Sequence, residues 1–424
     1  MRKTDQIRYL LAGILFATSV LPLSSACAQS GSVFSVPSSR PLPPAPSAST
    51  QSAPLAKFEL PGNRVYHGAS LPDTWNETGL RAQVQGYQRV AGKRISVVTW
   101  FASAYEQGRL TSWRNNYALP LARVKKAGAV SLIKFSVQDY AFAQTGRIAS
   151  TRDIARGVYD AYFEEAAEAV RDFKDPVFIS INHEMNGTWY PFSEAFPGSS
   201  VTAQDYIAAW RRIVDVFRRK GANNAAFVWS PNVPDVGPVP YTKYYPGDDY
   251  VDWVGVSFYS GNPMSNLAQI YRTYAAKKPI FITEWATGED KSRYFVGFPG
   301  EAQWIEQFFT SLEKNYPRVK AISWFQWDKR QYGESNYQLQ RVPEQAQTYN
   351  AQIQNPRYVD AADGILLGPR SNVEEVPLLV TPREIVLNGA PAVERAPLEK
   401  AVVERPAVEN PTPQRPRLRI IPRR

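Results

Sequence analysis

Two glutamates in this chain each close an apolar run. Glu184 follows Val177-Phe178-Ile179-Ser180-Ile181 in the segment INHEMNGTWYPF, and Glu284 follows Pro279-Ile280-Phe281-Ile282-Thr283 in PIFITEWATGE. Short continuous apolar runs read as strands covered on both faces. An acid at the end of such a strand is ill suited to a plain surface and well suited to the mouth of a parallel barrel, where strand C-termini carry the chemistry. Trp and Tyr surround both positions. A glycosidic bond breaks through an oxocarbenium-like state when one carboxyl group protonates the leaving oxygen and another attacks the anomeric carbon or activates water. One such glutamate alone would as readily be a structural partner for Lys or Arg; the pair at two strand ends is what points to sugar hydrolysis.

Other chemistries lack their parts. His183-Glu184 matches the first half of a zinc-protease motif, but position 187, where the second histidine belongs, is Gly. The only other histidine is His67, which either lines the site or is an ordinary solvated loop residue. No metal and no cofactor are expected. No G-x-S-x-G elbow, G-x-G-x-x-G turn or P-loop occurs, so neither a serine nucleophile nor nucleotide binding is supported, and nothing suggests nucleic acid as a partner.

The elements that must hold the glutamates alternate along the chain. Strands are expected at residues 64–69, 95–101, 130–135, 177–181, 225–229, 253–258, 280–283 and 321–325, with amphipathic helices at 151–173, 202–220, 264–277 and 301–316. Ser150 with Asp153, and Thr202 with Asp205, have the spacing of helix starts. Eight βα units over roughly 300 residues predict an α/β fold, a (β/α)8 TIM barrel, in residues 57–356.

The ends are different. Residues 1–28 combine a basic start (Arg2, Lys3, Arg8), an apolar stretch and the small-residue pattern Ala26-Cys27-Ala28, which reads as a signal peptide. Export to the periplasm or beyond is expected, by simple secretion or with a lipid anchor on Cys27, the sole cysteine. Residues 29–56 are rich in Ser, Pro and Ala, and 357–424 in Pro with scattered charge. Both read as disordered tails. The first thirty residues carry three basic side chains against Asp5, and the last fifteen carry five arginines and no acid, so only three of the ten excess positive charges belong to the rest. The C-terminal arginines suit an anionic surface or acidic polysaccharide, or are a solvated tail.

The segment HEMNGTWYP, the run YYPGDDYVDWVGVSFYSG (residues 244–261), FITEWA around Glu284 and AISWFQWD (residues 321–328) together resemble glycoside hydrolase family 26, a family of β-mannanases and β-1,3-1,4-glucanases on a (β/α)8 barrel. The resemblance implies Glu184 as acid/base, Glu284 as nucleophile, His183 as the residue preceding the acid, Trp189 as a subsite tryptophan and Tyr259 as hydrogen-bond donor to the nucleophile. It implies Trp324 as the platform beneath the sugar, with Trp327 as its competitor. Trp100, Trp229 and Trp285, at strand ends, are further candidates for subsites or for packing at the barrel rim. Many mannanases of that family carry an Arg shortly before the His, where this chain has Ile179-Ser180-Ile181-Asn182, and its Trp-Tyr-Pro sequence is more similar to members acting on mixed-linkage glucan or exopolysaccharide.

The expectation is an exported, monomeric, retaining endo-β-glycanase acting on β-mannan or mixed-linkage β-glucan by double displacement. Two other readings are a non-catalytic glycan-binding barrel serving exopolysaccharide export or envelope attachment, and an enzyme trimming the organism's own exopolysaccharide.

Overall fold

The computed structural model describes residues 55–291 and 294–362. The expected signal peptide, Cys27 and the C-terminal arginines lie outside them. Strands β1 (Tyr66–Ser70), β2 (Val97–Glu106), β4 (Val130–Asp139), β5 (Val177–Ile181), β6 (Ala225–Trp229), β7 (Trp253–Tyr259), β8 (Ile280–Ala286) and β9 (Val319–Phe325) pair in parallel, and β1 pairs with both β2 and β9 to close the ring. The short β3 (Arg109–Leu110) folds back on β2 as a hairpin. This is the expected (β/α)8 barrel.

Alternation along each strand sorts side chains into barrel interior and helix-facing shell. At the bottom, Tyr66, Val97, Leu132, Phe178, Trp253 and Phe281 belong to one buried apolar cluster. Above it lies a layer of hydroxyls, in which Thr99 bonds Ser323 and Ser230 bonds Thr283, each at 2.7 Å. The interior thus turns polar toward the strand C-termini, and there the two glutamates sit.

Around the ring run helices α1 (Glu77–Ala91), α2 (Ala118–Lys126), α3 (Phe142–Thr145), α4 (Thr151–Ala155), α5 (Asp160–Phe173), α6 (Ala203–Arg219), α7 (Leu267–Tyr274), α8 (Glu301–Lys314) and α9 (Pro343–Ile353). Thr202 and Asp205 form a reciprocal capping box at the start of α6. Ser150 precedes α4 but makes no capping bond, and the single helix expected over 151–173 is two, broken at Gly157 with φ +86°.

The folded body continues past Pro356. Tyr358 bridges Val65 in parallel, Tyr358, Val359, Ala361 and Ala362 are buried, and Val359 and Ala362 join the cluster at the barrel bottom with Leu60. On the other flank, Lys57 O accepts from Trp253 Nε1 at 2.7 Å. The last six described residues therefore plug the barrel, where a tail had been expected. A chain ended at Pro356 should be less stable than one ended at Ala362 by about 3 kcal/mol or more in denaturant titration, since vacating a packed site of that size costs about 2–5 kcal/mol. Equal midpoints would show that the plug contributes little.

Candidate active site

Glu184 owes its position to a sharp turn. Directly after β5, Asn182 and Glu184 both adopt left-handed backbone (φ +48° and +55°), a conformation that non-glycine residues rarely hold without outside support. The support is visible: Asn182 Oδ1 accepts from Val137 N at 3.0 Å, and Glu184 N donates to Ser230 O at 2.7 Å, tying the turn to the ends of β4 and β6. Asn186, fully buried, then bonds Asn232 and Asp235 of the loop after β6. Gly187 is required for space, because a Cβ there would lie 2.4 Å from the Trp189 ring. Trp189 thereby folds back and donates from Nε1 to Glu184 Oε2 at 3.0 Å.

Glu284 depends on an irregularity. Strict alternation with Phe281 inward would turn Glu284 out toward the helices. Between β7 and β8 the pairing passes from Val256–Ile282 to Ser257–Glu284, leaving Thr283 as an extra residue, so Thr283 and Glu284 both reach the interior. Glu284 is then 5% exposed and receives Lys134 Nζ on Oε1 at 2.5 Å and Tyr259 Oη on Oε2 at 2.6 Å.

These surroundings separate two like groups. Burial, reinforced by the neighbouring Glu284 carboxylate, pushes Glu184 up to about 7, against the lowering effects of Lys134 and the Trp189 donor. Glu284 is fixed on both oxygens, by a cation on one and a phenol on the other. The arrangement supplies a carboxyl that keeps a proton near neutrality beside one bound by a lysine and a tyrosine, the two unlike carboxyl sites that a glycosidase requires. His183, buried beside them, bonds Tyr190 Oη at 3.1 Å, and burial with Lys134 holds its imidazole well below its ordinary value, hence neutral.

A cleft beside the pair is lined by Trp75, Phe101, His183, Tyr190, Phe325 and Trp327. Phe325 and Trp327 stack at 5.5 Å, and Phe101 stands edge-on to Trp327. Four of the expected aromatics are elsewhere. Trp324 is fully buried on the outer face of β9, donating to Tyr337 O and packed on Trp285 and Tyr349. Trp285 stacks on Phe308 of α8 at 3.7 Å, Trp229 packs on Tyr245 and Tyr274, and Trp100 on Trp75 and Tyr117. Each is one position out of phase with the interior, so the inward neighbours Phe101 and Phe325 take the places expected of Trp100 and Trp324. His67 is likewise no loop residue: it lies within β1, fully buried against Tyr87 of α1, and burial pushes it down to about 3.

Lys134 and Phe101 were not anticipated. A lysine within VSLIKFSV, otherwise an apolar strand with serines, was the available signal: a charge inside a barrel needs a partner.

A closed parallel barrel carrying a split pair of carboxyls above an aromatic cleft has the architecture of a barrel glycoside hydrolase. The chain belongs to glycosyl hydrolase family 26, whose model it matches over residues 63–310. Endoglucanase H of Acetivibrio thermocellus is 29% identical over 313 residues, 70% of this chain and 32% of that protein. Mannan endo-1,4-beta-mannosidase A and B of Caldalkalibacillus mannanilyticus is 32% identical over 146 residues, 34% of this chain and 26% of that protein. The chain thus spans about a third or less of the length of these curated relatives. Among solved structures, a GH26 β-mannanase from Bacteroides ovatus shares the fold with a TM-score of 0.51 at 17% identity, covering 72% of this chain and 92% of that one.

The acid form of Glu184 is lost as pH rises through about 7, so hydrolysis should fall on the alkaline side of that value. Lys134→Met removes a cation that lowers Glu184 and leaves Glu284 buried with only Tyr259 as partner. The alkaline limb should move to higher pH while kcat drops by roughly 10- to 1000-fold. A pH–rate profile that keeps its limb in place would separate Lys134 from the pair.

Proposed function

We propose that this protein is an exported, retaining endo-β-glycanase that cleaves a β-linked glucan or mannan backbone by double displacement, with Glu184 as acid/base and Glu284 as nucleophile. The observation that carries the reading is the divergence of the two carboxyls: one raised to about 7, the other held between Lys134 and Tyr259.

In the first step Glu284 attacks the anomeric carbon while Glu184 gives its proton to the departing glycosidic oxygen. Tyr259 and Lys134 hold the attacking carboxylate in line. In the second step Glu184, now a base, takes a proton from water, which displaces Glu284 and restores both groups. A carboxyl separation of about 5–5.5 Å suits direct attack. Trp189 orients Glu184 from one side, and the rings of Phe325 and Trp327 offer flat apolar faces for pyranose stacking. The names of the two relatives, an endoglucanase and an endo-mannosidase, support internal cleavage of a β-glycan. The basic, apolar, small-residue order of residues 1–28 supports export.

Glu184→Ala removes only the leaving-group proton. Activity on barley β-glucan or mannan should fall by about 10²–10⁴-fold, whereas an aryl β-glycoside with a good leaving group should still form its glycosyl-enzyme. Equal losses on both substrates would show that Glu184 is not the acid, and a parent protein inert on both polysaccharides would favour a glycan-binding role.

A further inference from the structure

The cleft beside the pair has a carboxylate of its own that the double displacement does not use. Glu106, at the end of β2, lines the same cleft as Trp75, Trp327 and Tyr332, is partly buried, and its carboxylate has no hydrogen bond or ion pair among the described residues. Its neighbour Asp139 is different: it is fully buried and occupied by Gly108 N, Ala141 N and Thr145 Oγ1, a structural carboxylate that closes the β2–β4 end. Two more groups of the same wall have unmet capacity. Gln138 Oε1 and Tyr140 Oη are buried without a protein partner, and Gln138 is only 8% exposed. Polar atoms left unpaired at a cleft wall are groups that a ligand or its bound water satisfies.

We infer that Glu106, Gln138 and Tyr140, with Trp75, form a further sugar subsite one ring or more from the cleavage point, in which Glu106 reads the hydroxyls of a neutral pyranose. It rests on the glycanase reading above and extends it. The chemistry is that of a carbohydrate site: aromatic rings for the apolar face of the sugar and a few polar groups for its rim. Burial, with the Asp139 carboxylate as the lesser cause, raises Glu106 to about 7, so near neutrality it both donates to and accepts from hydroxyl groups. Specificity follows from the same groups. A substrate lacking the matching hydroxyls leaves them unpaired on binding, which penalises it more than lost contact area would.

The test compares ligands that do and do not reach the wall. In the Glu184→Gln protein, where binding is read by calorimetry without turnover, Glu106→Ala should weaken mannotetraose or a mixed-linkage glucotetraose by roughly 10- to 100-fold. Glu106→Gln, which keeps a donor and an acceptor, should lose less. With active enzyme, the loss in kcat/KM should grow with chain length, from a small effect on 4-nitrophenyl β-glycosides of a single sugar to the full effect on the tetrasaccharides. Because the binding arm needs no hydrolysis, it decides the subsite even if the hydrolase reading fails. Tetrasaccharide affinity unchanged in Glu106→Ala, or a loss equal for one sugar and four, would overturn the inference.

Discussion

The contact between Lys134 and Glu284 is the interaction on which the rest of the site depends. Two carboxyls at one barrel mouth share the same desolvation and repel each other, and left alone both would be pushed toward the neutral form. A lysine with no exposed surface touches only Glu284, and its lowering effect on Glu184 is too weak to offset burial there. Its cost is the removal of an ammonium from water, tolerable because a carboxylate meets it directly. Tyr259 takes the second oxygen of Glu284, so the carboxylate has no freedom to turn toward Glu184. The two carboxyls thus stand in unlike surroundings before any substrate arrives.

The barrel exists locally in the form that this assignment needs. A uniform strand would aim Glu284 at the helices, and the extra residue Thr283 corrects its direction. A regular exit from β5 would carry the chain past the mouth, and the left-handed turns at Asn182 and Glu184 bend it back. Both departures are held from outside, by Val137 N and Ser230 O at the turn and by the Ser230 hydroxyl on Thr283. At the opposite end the chain termini of the described body fill the barrel bottom, leaving the strand C-termini as the open face.

Much of this was legible in the sequence. All eight barrel strands lie where their apolar runs placed them, β5 and β6 to the residue, with Glu184 just past β5 and Glu284 in the C-terminal half of β8. What sequence reading could not supply was phase. Trp100, Trp229, Trp285 and Trp324 attract notice by size, yet alternation sends them outward, and the smaller Phe101 and Phe325 line the cleft. The bulge at Thr283 left no mark that period-two counting could detect. Lys134 was detectable in principle, as the one charge within the run VSLIKFSV, but its partner lies 150 positions away and only the closed ring brings them together. The plug formed by residues 357–362 was missed because six residues after a proline carry too little periodicity to separate from a tail.

The central claim is that Glu284 carries the nucleophilic charge and Glu184 the proton. Incubating the protein with an activated 2-deoxy-2-fluoro β-glycoside of the preferred sugar, followed by peptide mass spectrometry, tests this most directly, because the fluorine slows release of the glycosyl-enzyme while the leaving group needs no acid. The account predicts one sugar on the peptide containing Glu284, formed also by Glu184→Ala. A sugar on Glu184, or turnover with no adduct and α-configured product first in the NMR spectrum, would contradict it.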